Sequence, residues 1–131
     1  MENDITGVIL ELERDALKRW GSGDPDGFLE ISATGVSYFD PMQATRLDGL
    51  DRLSALYDTI RGKIKIDSSE IVNPRVQIAG DAAVLTYQFI SRGSEGTMRW
   101  NSTAVYQRDA GCWRIIHSHW SFVQPVLAPK T

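Results

Sequence analysis

Cysteine occurs once in this chain, at Cys112, which excludes an internal disulfide and the usual multi-cysteine zinc sites. No base or helix N-terminus adjoins it, so Cys112 reads as a small residue at a hairpin base rather than a nucleophile. An excess of positive charge is also absent. Lys and Arg number 14 against 17 Asp and Glu, for a net charge of −3 and a pI near 5.3. That balance argues against nucleic acid or an anionic membrane as an obligatory partner. No apolar run approaches the ~20 residues of a membrane span, and Met1-Glu-Asn-Asp4 lacks the basic start of a secretion signal. Cytoplasmic residence is the expectation. Repeats, low-complexity stretches and internal linkers are missing too, so residues 1–131 read as one domain.

The first third has helical periodicity. Ile5, Val8, Ile9, Leu12, Ala16 and Trp20 form an apolar stripe, with Glu11, Glu13, Arg14, Asp15 and Lys18 elsewhere on the helix. Gly21-Ser-Gly23 stops it; Asp24 caps and Pro25 opens a short second helix carrying Phe28 and Ile31 inward. Val36–Asp40 reads as a strand ended by Pro41. A third helix is expected from about Asp48 to Arg61, with Leu50, Leu53, Leu56, Tyr57 and Ile60 inside.

Long strand-like runs follow, joined at Gly80-Asp81, Gly93–Gly96 and Asp109-Ala-Gly111. Helices first and an antiparallel meander afterwards predict an α+β domain, with helices closing a curved sheet over a central pocket. A three-residue loop between Arg108 and Cys112 sets Trp100 opposite Trp120 and Ala104 opposite Ile116. On the reverse face it sets Asn101 opposite His119 and Thr103 opposite His117. A two-residue turn at Gly80-Asp81 gathers Val76, Ile78, Leu85, Tyr87 and Phe89. One face is thus aromatic and apolar, and the other carries the histidines.

Both histidines and two of the four tryptophans lie in Trp113–Trp120. Strict alternation puts Trp113, Ile115, His117 and His119 on one face and Arg114, Ile116, Ser118 and Trp120 on the other. His117 and His119 could serve a metal or acid–base chemistry. No carboxylate or cysteine in the strand completes a metal set, so no metal is assigned. Their outward register favours a hydrogen-bonded contact between subunits, with Asn101 and Thr103 beside them.

Several short motifs, in order along nearly the whole chain, resemble the nuclear transport factor 2-like superfamily. They are Gly23-Asp24-Pro-Asp-Gly27, Tyr38-Phe-Asp-Pro41, Arg46-Leu-Asp-Gly49, Gly80-Asp81 and Gly111–His119. Within it the chain is most similar to SnoaL-like proteins and to the association domain of calcium/calmodulin-dependent kinase. The resemblance implies a cone-shaped antiparallel (mixed) sheet with about three helices closing a pocket, and homodimers joined through the sheets. It aligns Asp40-Pro41 with the general base of ketosteroid isomerase-like members. That isomerase's oxyanion-donating tyrosine falls at Ala16 here, and the association domain's pocket arginines fall at Ala104 and Trp120. Steroid-type enolisation and an anion pocket are therefore not expected.

Two functions stay open. In one, a cofactor-independent isomerase, lyase or dehydratase acts on a hydrophobic carbonyl compound. Asp40 takes a proton, because a carboxylate in an apolar cone becomes more basic. Tyr38, of the same strand parity, donates a hydrogen bond beside it. Trp100, Trp120, Tyr57 and Tyr87 hold the small hydrophobic ligand. In the other, the cone only binds a ligand or only assembles. Fold alone does not choose between them.

Overall fold

The computed structural model describes residues 2–123. Helix α1 (Glu2–Gly21) ends where Gly23 turns left-handed at φ +90°, its N–H donating to Trp20 O at 3.0 Å. A Cβ there would sit 3.2 Å from both Gly62 Cα and Ile64 O, so only glycine fits this crossing. Asp24 accepts the Asp26 N–H at 3.0 Å, leading into α2 (Asp26–Glu30). Strand β1 (Ser32–Phe39) and the short β2 (Leu47–Asp48) precede α3 (Leu50–Asp58). Four long strands follow: β3 (Ser68–Ala79), β4 (Ala82–Gly93), β5 (Gly96–Asp109) and β6 (Cys112–Phe122).

The strands form one curved sheet that does not close, in the order β2-β1-β6-β5-β4-β3. Among the described strands only β1 and β6 pair in parallel, which makes the α+β sheet mixed. The concave side is the core. Ile9, Ala16 and Leu17 of α1 and Leu53 and Tyr57 of α3 meet Leu85, Tyr87, Phe89, Ala104, Tyr106 and Ile115 of the sheet. Period-2 patterning explains the sheet's share: β4 buries Ala83, Leu85, Tyr87, Phe89 and Ser91, every second residue.

Several expectations are corrected. The third helix begins at Leu50, because Leu47 and Asp48 pair with Tyr38 and Ser37. The last hairpin turns on two residues, Ala110 and Gly111, at φ 50° and 81°, with Asp109 opposite Cys112. Both central residues at positive φ match the right-handed twist of the strands they join. Past the turn, Ile116 is an extra residue in β6: Tyr106 faces Ile115 and Val105 faces His117. Trp120 therefore lies opposite Ser102, Trp100 opposite Phe122, Ala104 opposite Ser118, Asn101 opposite Ser121 and Thr103 opposite His119. The bulge also divides the strand's faces. Buried Ile115 shares the inner side with buried Ser118, whereas His119 is exposed.

In α1, Val8 is 45% exposed and Glu13 only 2% exposed, reversing the sides expected for them. The buried stripe is Ile9, Glu13, Ala16 and Leu17. A carboxyl sits in the middle of an otherwise apolar helix face.

Candidate functional site

A cavity of about 540 Å³ opens between the helices and the sheet. Leu17, Trp20 and Phe28 form its helical wall; Phe89, Trp100 and Trp120 form its sheet wall. Tyr57 of α3 with Ile60 just beyond it, and Tyr38 of β1 with Asp40 just after it, close a third side, and Met42, Lys63, Lys65, Arg92 and Glu95 also border it. An aromatic-rich enclosure with a few polar groups is the usual make-up of a small-molecule site.

The aromatic walls hold their shape by edge-to-face contacts. Trp20 packs on Tyr57 at 5.0 Å between centroids and on Phe28 at 5.9 Å. Across the cone, Trp120 stands perpendicular to Trp100 at 5.9 Å and meets Phe89 and Tyr87 at 6.0 Å each. The two tryptophans share the inner face as diagonal neighbours rather than as a directly opposed pair.

Asp40 is half-buried beside the cavity, just after β1, where Pro41 cannot continue the ladder. The Tyr38 hydroxyl donates to its Oδ2 at 2.8 Å and the Met42 N–H to its Oδ1 at 2.7 Å. Each oxygen keeps a lone pair for a ligand. Tyr38 itself is buried, and burial together with the neighbouring Tyr57 and Asp40 pushes its phenol far above the ordinary range. It therefore stays protonated as a donor. Tyr57, edge-on to Tyr38 at 6.0 Å, is pushed up chiefly by burial as well.

Tyr87 does not border the cavity. It lies behind Trp120 and donates to Glu13 Oε2, while Tyr106 donates to Glu13 Oε1, each at 2.5 Å. Glu13 is the group that pattern reading missed. Its signal was its position: Ile9, Glu13 and Leu17 are spaced by four, so a helix burying Ile9 and Leu17 must bury the residue between them.

The histidines are on the opposite side. His117 Nδ1 is 2.7 Å from Ser37 Oγ across the parallel β1–β6 pair. Phe39 lies 5.8 Å from the His117 ring and 5.0 Å from that of His119. Burial first, then His119 and Arg46, holds the His117 imidazole below its usual range. Asn101 instead joins a polar row, accepting from Gln88 at 3.0 Å and reaching Ser121 at 3.5 Å. Among the described residues no cluster of three or more metal-ligating side chains occurs. Nor is any described helix long and apolar enough to cross a membrane.

The calcium/calmodulin dependent protein kinase II association domain family model matches residues 5–124. The chain belongs to that family. Solved structures place the association-domain fold in wider company. A Parabacteroides distasonis protein provisionally assigned as a ketosteroid isomerase is 39% identical, over 90% of this chain and 87% of that one, with a TM-score of 0.82. The S. rosetta kinase hub is 26% identical over 88% and 94% of the two chains, with a TM-score of 0.71. A nuclear transport factor 2-like protein of unknown function from Pseudomonas putida reaches a TM-score of 0.84 at 22% identity, covering 100% and 95%. The last shares the fold alone.

Proposed function

We propose that this association-domain chain binds a small, largely apolar molecule in its cavity, with Asp40 accepting a hydrogen bond from the molecule's polar end. The observation that carries this reading is that Asp40 opens into the same cavity as Trp100 and Trp120. Tyr38 orients the carboxylate, and because its proton is committed to Asp40, it is not free to stabilise an oxyanion. Binding is therefore favoured over enolisation. Native mass spectrometry of the purified chain is the test. A co-purified ligand is expected, retained about tenfold less well in Trp100→Ala, since an aromatic wall contributes on the order of 1 kcal/mol beyond its area. Absence of any ligand, or unchanged retention in Trp100→Ala and Asp40→Asn, would sink it.

The likeness to the Parabacteroides distasonis protein favours a catalytic form of the same reading. Asp40 would then move a proton from a carbon beside a carbonyl and return it elsewhere on the molecule. Asp40→Asn should in that case lower turnover by about 10²–10⁴, the usual contribution of a positioned base, with little change in KM.

We further propose that two copies pair through the outer sheet face bearing Phe39, His117 and His119. A half-buried phenylalanine between two imidazoles, in a family described by association, supports this surface. His119→Glu should then shift sedimentation from dimer toward monomer. A wild-type chain that sediments as a monomer would end the proposal.

A further inference from the structure

Glu13 is a carboxyl with nowhere to place a charge. It is 2% exposed, and the groups bearing on it are the phenols of Tyr87 on β4, Tyr106 on β5 and Tyr57 on α3. None is cationic, and none of the ion pairs among the described residues includes it. A buried carboxylate without a cation ordinarily keeps its proton instead. Burial outweighs the two phenol hydrogen bonds here and holds the group above the usual carboxylate range.

Hydrogen bonding accommodates the neutral acid. Ser102 is the cross-strand neighbour of Tyr87, and its buried Oγ has no partner among the described residues. An ionised Glu13 would accept from both phenols and leave Tyr87 Oη as an acceptor for Ser102, so hydrogen counting alone allows either state. Burial without a cation decides between them. In the neutral state the acid proton goes to Tyr87 Oη, the Tyr87 hydroxyl turns away from the carboxyl, and Tyr106 continues to donate to the other carboxyl oxygen, so no charge is buried.

We propose that Glu13 is a proton-binding site of the fold, a neutral carboxylic acid buried between the Tyr87 and Tyr106 phenols, so that folding takes up one proton. The pH dependence follows. Below the ordinary glutamate pKa of about 4.3, both folded and unfolded chains hold the proton and this group adds no slope. Above it the unfolded chain releases the proton and the folded chain keeps it. The folding constant then falls by up to about tenfold per pH unit, until the folded group ionises as well. Alkaline conditions are the ones that loosen α1 from the sheet.

Two measurements on the full chain test this independently of any ligand. Infrared difference spectroscopy at about neutral pH should show one protonated carboxyl, since ordinary carboxyls are ionised there, and Glu13→Gln should remove it. Urea unfolding from about pH 5 to about pH 8 should show the wild type losing stability relative to Glu13→Gln by up to tenfold per unit, because the amide copies the neutral acid's donor and acceptor. A wild-type spectrum with carboxylate only would overturn the proposal even if Glu13→Gln failed to fold. So would a stability difference that is flat or rises with pH.

Discussion

Tyr106→Ala is expected to leave most of the chain unfolded at room temperature, or folded with little margin. Tyr106 is fully buried, facing Ile115 across the β5–β6 pair and Ala83 across β4–β5. Truncating a buried aromatic to alanine costs about 3–5 kcal/mol in lost transfer energy and cavity formation. A second loss is added here. The phenol donates to Glu13 Oε1, so the alanine variant leaves a buried carboxyl oxygen without a partner, at about 1–3 kcal/mol. Together these approach the entire stability of an ordinary domain, about 5–15 kcal/mol. Tyr106→Phe separates the terms, because it removes the donor and keeps the ring; it should lose only the smaller amount. Urea unfolding followed by tryptophan fluorescence reads both. A Tyr106→Ala midpoint close to wild type would mean that the Glu13 cluster does not hold α1 against the sheet.

That cluster also marks where pattern reading stops. Alternation along β4 and glycine at the turns were legible because backbone geometry enforces them: Gly80-Asp81 joins β3 to β4 as the sequence suggests, with Ala79 opposite Ala82. The last hairpin was harder. Gly111 signals one left-handed residue, but Ala110 takes a second at φ 50°, and nothing in an alanine announces that. The turn is shorter by one residue than expected, and Ile116 bulges out of β6 by one. The two differences offset each other in parity beyond the bulge. Trp100 and Trp120 consequently share the inner face and the histidines the outer, although each cross-strand partner is displaced. Before the bulge the parity does change, which brings Ile115 inside with Tyr106.

The candidate site was legible to different degrees for similar reasons. Tyr38 and Asp40 were tied together by strand parity, and in the folded chain they are joined by a hydrogen bond. What parity could not supply was the Met42 N–H on the other oxygen, a loop contact that depends on how the chain turns after Pro41. Tyr87 has the right parity to face inward, but depth decides its neighbours: Trp120 lies between it and the cavity. Glu13 was hidden by a rule that assigns charged residues to the solvent side. The rule fails where three hydroxyl-bearing side chains, Tyr87, Tyr106 and Ser102, gather on the sheet opposite it.

Trp120→Ala should have two separable effects because Trp120 is both a wall of the cavity and the cover over Tyr87. It loses three edge-to-face contacts, with Tyr87, Phe89 and Trp100. Each such pair is worth about 0.5–1.5 kcal/mol beyond buried area, which suggests a destabilisation of about 3 kcal/mol for a half-buried indole. At this chain length that corresponds to a fall in Tm of roughly 10 °C. The second effect is on the cavity. Removing the indole extends the space toward the Tyr87 hydroxyl and Glu13, so apolar ligands should bind more weakly while bulkier ones bearing a hydrogen-bonding group gain. Trp120→Phe keeps an aromatic cover and should restore most of the stability without the change in ligand preference. Calorimetry on the three forms, paired with native mass spectrometry against a graded set of aromatic alcohols, separates the two roles. A Trp120→Ala variant that loses stability but retains the wild-type ligand order would make Trp120 core filler and leave the binding surface to Trp100 and Asp40.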